Sequence, residues 1–233
     1  MEHRRVMIFI LSAALCLPAF LFIFSKSASA QQAQPQLLFS WHAANSYVPS
    51  SYKGKVLPGQ QSQITASFEL VSGGEIVNVK NQSIYWYLDG TLIGGGTGAQ
   101  QITFRPFGTA PAMETLKVEL PKYSGGYLIH QETIPVANPT VVVYAPYPAG
   151  QFSGTNATAT ALAYFFNAPA TSIAFAWSVN GQSGSSTANP DILQINLPAG
   201  TPSGSAIAIS LQAQSPRGQN VSASKNLTYQ GQL

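Results

Sequence analysis

The groups able to do chemistry are few and scattered. Beyond residue 30 the chain has two histidines, His42 and His130, and two aspartates, Asp89 and Asp191. A Ser–His–Asp site needs a base oriented by a carboxylate. Asp89 reads as a turn residue, and Asp191 lies in the other half of the chain. There is no Gly-x-Ser-x-Gly elbow. The only cysteine is Cys16, so neither a Cys–His nucleophile nor a disulfide is available further on. Calcium takes six to eight oxygen ligands, usually with several carboxylates. Here Glu69, Glu75, Asp89, Glu114, Glu119, Glu132 and Asp191 stand singly, and near the middle of the chain only Glu132 and Asn138 offer donors. Gly94-Gly-Gly-Thr-Gly98 lacks the Lys-Ser/Thr and the helix of a phosphate-cradling loop and reads as a connection between strands. The expectation is a protein that is not an enzyme and has no metal or cofactor.

Aromatic side chains are the remaining candidates. Trp41, Tyr47 and Tyr52 lie in or beside a Ser-, Tyr-, Pro- and Gly-rich stretch over 45–59, and Tyr144, Tyr147 and Phe152 occupy the equivalent region further on. Exposed on loops, such rings suit sugar stacking or protein contact. Turned inward, they are packing. The Asn-x-Ser/Thr triplets at Asn81, Asn156, Asn220 and Asn226 fit a glycan acceptor, a pattern frequent by chance in so Asn- and Thr-rich a sequence.

The elements that hold these residues come in two copies. Ile84-Tyr-Trp86-Tyr-Leu88-Asp89-Gly90 and Phe175-Ala-Trp177-Ser-Val179-Asn180-Gly181 each read as a strand that buries a tryptophan and then turns. Asp-Gly and Asn-Gly are preferred in tight hairpins because both central residues take positive φ. The tryptophans are 91 residues apart, and the offset carries Ile102 and Phe104 onto Leu193 and Ile195, and Leu116, Val118 and Leu120 onto Ile207, Ile209 and Leu211. Such self-similarity is a repeat, with Trp86 and Trp177 expected in the cores.

The first copy then reads as strands over 37–41, 63–70, 83–88, 101–105, 114–120 and 127–136, with Ser124-Gly-Gly126 as a hairpin. The second reads as strands over 140–144, 155–166, 172–179, 192–197, 206–213 and 221–229, with Ser215-Pro-Arg-Gly218 as the last turn. Alternating apolar and polar residues mark half-buried strands, and no segment beyond the leader has helical spacing. Many short strands punctuated by Gly and Pro mean sandwiches. The expected organisation is a leader over 1–30, a polar linker over 31–36, and two modules over 37–137 and 138–233. The boundary at Asn138-Pro139 is short enough to restrict relative motion.

The leader has Arg4 and Arg5, an apolar run over 6–24, and Ala28-Ser29-Ala30 before Gln31, the layout of a secretory signal peptide. Uncleaved, the 19-residue run is long enough to anchor the chain, and it would be the only contact with a membrane. Either way the remainder is expected outside the cytoplasm. Arg4, Arg5, Lys26 and Glu2 lie in the leader. Of 11 basic and 8 acidic residues, 8 and 7 therefore remain beyond it, a net charge of about +1. That excludes a nucleic-acid binder working through a clustered basic face. Only 8% of the chain is charged, against roughly 25% on average.

A mid-domain tryptophan strand, the hairpin turn after it, and two later strands joined by a Gly-containing hairpin resemble the immunoglobulin-like superfamily. The pattern is most similar to bacterial PKD-like surface modules, in two copies over 37–233. Leu88 and Val179 stand where the PKD pattern has Gly, and Asn180 replaces its Asp. The resemblance implies an all-β fold of two tandem Ig-like sandwiches. It also implies a structural, adhesion or assembly role without catalysis, in a secreted or cell-surface protein whose partners are surface proteins or glycans. The alternative is a carbohydrate- or peptide-binding module using the aromatic loops at 41–52 or 144–152.

Overall fold

The computed structural model describes residues 34–123, 126–184 and 188–231. The leader, its cleavage site, and the turn residues Ser124 and Gly125 lie outside them. Alternation with period two puts every second side chain of each strand on one face, and two stacks of sheets bury those faces.

In the first half, β1 (Gln36–Ala43), β2 (Ile64–Ser72), β3 (Glu75–Val77) and β6 (Gln101–Phe104) make one sheet. Its central strand β2 pairs with β1 along one edge and with β3 and β6 along the other. Strands β5 (Thr91–Thr97), β4 (Ser83–Leu88), β7 (Ala112–Tyr123) and β8 (Gly126–Val136) make the second, in that order. Between the sheets lies a core that includes Ile64, Phe68, Leu70, Ile84, Trp86, Leu116, Val118 and Ile134.

The second half repeats the plan. One sheet runs β14 (Ile192–Asn196), β11 (Asn156–Tyr164), β9 (Thr140–Tyr144); the other runs β10 (Gln151–Phe152), β16 (Asn220–Tyr229), β15 (Ala206–Gln214), β12 (Ala174–Val179), β13 (Gln182–Ser183). A separate core gathers Phe152, Phe166, Ile173, Trp177, Leu193, Ile209, Leu211 and Tyr229 among others. In immunoglobulin lettering each half opposes strands A, B and E to C′, C, F and G. The fold is all-β and Ig-like twice over; nothing in the strand order singles out PKD-like modules.

The repeated tryptophan strand is β4 and β12. Trp86 is fully buried, with Phe39 and Phe68 rings 6.0 and 5.8 Å away. Its indole Nε1 donates to the Ala99 carbonyl at 2.8 Å, and Trp177 Nε1 donates to the Pro190 carbonyl at 3.0 Å. Both bonds join equivalent positions. The turns also match: φ is 46° and 80° at Asp89 and Gly90, and 51° and 79° at Asn180 and Gly181.

Two details depart from the sequence expectation. Gly94–Gly96 is not a loop but the middle of β5, where Gly95 lies opposite Tyr85. A Cβ on Gly95 would sit 2.4 Å from the Ile84 carbonyl, so only glycine allows this strand so close. The 91-residue offset also fails on strand F. Trp86 faces Val118, whereas Trp177 faces Leu211; Leu88 faces Leu116, whereas Val179 faces Ile209. Leu116 therefore corresponds to Ile209, not Ile207. The connection before β15 is two residues longer, and a slide of two leaves every side chain on the same face.

Candidate functional site

The stretch over 44–62 has no strand of its own, yet it is pinned at many points. Ala44 N–H donates to the Gln63 carbonyl at 2.7 Å, Ser46 Oγ donates to the Leu57 carbonyl at 2.6 Å, and Ala137 N–H donates to the Pro58 carbonyl at 2.8 Å. The first and third of these bonds tie it to the first sandwich, and the Ser46 bond closes the stretch on itself. Lys55 lays its ammonium 3.4 Å from the centre of the Trp41 ring, a cation–π contact. Burial lowers the Lys55 pKa, and the Glu132 charge partly offsets that.

The same stretch grips the second sandwich. Tyr47 N–H donates to the Phe166 carbonyl at 2.9 Å, and Phe165 N–H donates to the Tyr47 carbonyl at 2.7 Å. The Tyr52 ring meets Tyr164 and Phe165 edge-on at 6.0 and 5.8 Å. Gly59 packs so tightly that a Cβ there would lie 2.6 Å from the Phe165 carbonyl. On the receiving side β11 ends, Phe165 takes φ 59°, and Phe166 turns fully into the second core. The first sandwich's loop and the 164–167 corner of the second together form a joint.

A cleft opens on either side of it. One, of ≈ 460 Å³, is walled by Tyr47 and residues 48–51 and floored by Ala161, Ala163, Ile173 and Phe175, with Asp191 also lining it. The other, of ≈ 510 Å³, is polar and lined by Gln60, Gln61, Asn138, Asn167, Arg217 and Gln219, among others. Asn167 is 3% exposed. Its N–H donates to Gln219 Oε1 at 2.9 Å, while Asn167 Oδ1 and Gln219 Nε2 are buried with no partner.

The aromatic candidates divide accordingly. Trp41 is 8% exposed and is not an exposed loop ring: it lies at the end of β1 on an inward position, under Lys55. Tyr52 belongs to the joint. Tyr147 packs at a tilt against buried Phe152 at 5.4 Å, and its hydroxyl accepts from Thr158 N–H at 2.7 Å. Tyr47 and Tyr144 do show their rings, at 40% and 53% exposure. The structure brings Tyr47 and Tyr52 to one joint and leaves Tyr144 and Tyr147 on the second sandwich.

His130 stacks on Phe39 at 5.2 Å, and its Nε2 lies 3.7 Å from Glu132 Oε2, beyond hydrogen-bond reach. Among the described residues no group of three or more His, Cys, Asp or Glu side chains could hold a metal ion. No helix among them is long and apolar enough to cross a membrane.

Sequence reasoning missed a second feature, the tyrosines on the outer face of β4, β7 and β8. Tyr87 sits under the Lys117 ammonium at 4.3 Å, and Lys117 pairs with Glu119 at 2.7 Å. The Lys117 hydrogen bond, helped by hydroxyls of Tyr127 and Tyr87, holds the Glu119 pKa below the ordinary carboxylate value. The signal was available, since Tyr85 and Tyr87 flank Trp86 and must point the opposite way.

No family model and no curated protein matches the chain. Solved structures with the same kind of fold do. Fibronectin(III)-like modules of Clostridium thermocellum CbhA are 18% identical over 80% of this chain and 94% of theirs, with a TM-score of 0.29. The three N-terminal domains of the bacteriophage RB49 outer capsid protein Hoc are 12% identical over 82% of this chain and 59% of theirs, with a TM-score of 0.41. The ectodomain fragment D1–D4 of ICAM-5 is 11% identical over 85% of this chain and 54% of its own, with a TM-score of 0.29. The likeness lies in the kind of fold alone.

Proposed function

We propose that the chain is a non-enzymatic extracytoplasmic protein serving a structural, adhesion or assembly role, with 37–137 and 138–233 as its two modules. The observation that carries this reading is the joint. Main-chain bonds at Tyr47, ring contacts at Tyr52 and the close approach at Gly59 hold the two sandwiches together. Relative domain motion is the ordinary expectation for tandem modules, so a joint braced at this many points serves a protein that must keep a fixed spacing. The leader pattern over 1–30 supports placement outside the cytoplasm.

The test is backbone ¹⁵N relaxation of the purified protein. A common rotational correlation time for the two sandwiches is expected; independent tumbling would overturn the reading. N-terminal sequencing of protein recovered outside the cytoplasm checks its location, with a chain starting at Gln31 expected. A chain retained wholly in the cytoplasm would remove the extracytoplasmic part.

A second reading is favoured by the Tyr47 cleft. It has the volume and the apolar floor with a few polar groups that small-ligand sites share. Here the protein would be a carbohydrate- or peptide-binding module. Binding of a glycan or peptide from a screen, lost in Tyr47→Ala with melting unchanged, would establish it.

A further inference from the structure

The polar cleft on the opposite side of the joint holds a matched pair of unmet groups. Gln219 has a fixed orientation: its Oε1 accepts from Asn167 N–H at 2.9 Å and lies 3.3 Å from Ser215 Oγ. The amide nitrogen must then face away, as a donor, and it is buried without a partner. Asn167 Oδ1, an acceptor in a side chain almost wholly removed from solvent, is likewise unmet. Buried polar atoms are nearly always satisfied, so each exception asks for an explanation, and a ligand or water received at the cleft is one. Both residues line the same ≈ 510 Å³ cleft.

The rest of the lining narrows what that something is. Gln60, Gln61, Asn138 and Asn220 add four more amides, each both donor and acceptor. Arg217 is the one charged residue, and no carboxylate is present. Only Pro139 and Val221 are apolar. An extended peptide draws its specificity from pockets for alternate side chains, and these two are the only apolar side chains here to build one. A hydroxyl group, which donates and accepts at once, fits amides of both senses.

We propose that this cleft binds an uncharged, hydroxyl-rich ligand, a saccharide. One hydroxyl accepts from Gln219 Nε2, and a neighbouring hydroxyl donates to Asn167 Oδ1. This goes beyond the spacing role of the joint, and its failure would leave that role intact, since relaxation reports on the joint independently.

The test is titration of the ¹⁵N-labelled protein with cellohexaose, maltohexaose and chitohexaose, and separately with a neutral hexapeptide of alanine and glycine. The side-chain amide signals of Gln219 and Asn167 are followed, with affinities taken from calorimetry. At least one saccharide is expected to shift both amides. Gln219→Glu keeps the oxygen that holds Asn167 N–H and replaces only the donor, so it should weaken that saccharide at least tenfold without changing the melting temperature. Ile76→Ala, an exposed side chain of the first sandwich outside the cleft lining, should bind as wild type. The proposal is overturned if none of the three saccharides moves those amides, if Gln219→Glu binds as tightly as wild type, or if the peptide binds in their place. Should Gln219→Glu melt early, the wild-type amide shifts still decide between a ligand site and a cleft filled by water.

Discussion

Glu114 occupies the place that Ile207 takes in the second sandwich: Glu114 pairs with Ile134 as Ile207 pairs with Leu227. A carboxyl thus stands at a core position, 1% exposed, with Oε1 accepting from Gly108 N–H at 2.6 Å and Oε2 buried without a partner. Burial is the main influence and raises its pKa above the ordinary value; the Gly108 and Phe107 amides partly oppose it. A raised folded pKa means stability that is full while the carboxyl is protonated and is lost as pH rises through the folded value. Glu114→Gln should therefore gain most over wild type near neutral pH and least at about pH 4. Thermal melting of both proteins across that range checks this, and an equal gain at every pH would count against it. Parity with Leu116, Val118 and Leu120 puts Glu114 on the inward face of its strand, but it stands at the start of the apolar run, where a strand can already have left the core, so the pattern did not fix its burial. Trp86 was legible, since a large ring flanked by the outward Tyr85 and Tyr87 has one face to occupy, and Trp177 was legible as its repeat. Trp86→Ala should cost about 3–5 kcal/mol, read from urea unfolding, and Trp86→Phe distinctly less.

At the level of elements, the clearest signals were those with the fewest alternatives. Positive φ at two successive turn residues excludes most side chains, so Asp89-Gly90 and Asn180-Gly181 announced their hairpins. The structure adds what the side chains do next. Asp89 Oδ1 accepts from Thr115 N–H and Asn180 Oδ1 from Ala208 N–H, each at 2.8 Å, pinning the turn to strand F. Asn180→Ala loses that bond and keeps an unfavourable φ, a cost of about 2 kcal/mol, whereas Asp89→Asn should be nearly neutral. Equilibrium unfolding of the two variants separates these outcomes. Less legible were β5, whose glycines look like a linker until a neighbouring main chain explains them, and the register of strand F. A slide of two residues preserves every inward and outward position, so an apolar pattern cannot detect it.

For the whole molecule, the joint was the least legible part. Its contacts join residues more than a hundred positions apart, and no local pattern marks Tyr47 or Gly59 as partners of Phe165 and Phe166. Gly59→Ala places a carbon against the Phe165 carbonyl, a backbone atom that cannot move aside cheaply. The loss should be about 1–3 kcal/mol, with the two halves showing faster relative motion by ¹⁵N relaxation while each core stays folded. Unchanged relaxation in that variant would mean the joint does not depend on the close approach.

The parallel contact beside the last strand of each sandwich has a mechanical consequence. In the second, Gln151 and Phe152 run parallel to Thr228 and Tyr229, and Gln230 N–H and Gly154 N–H add bonds beyond that pair. In the first, the equivalent is a single bridge between Gly59 and Ala137. A pull applied near residues 35 and 231 shears such parallel contacts, whose hydrogen bonds must break together rather than one after another. The second sandwich should therefore resist extension longer, and stretching a single molecule should release the first sandwich at the lower force and the second at the higher.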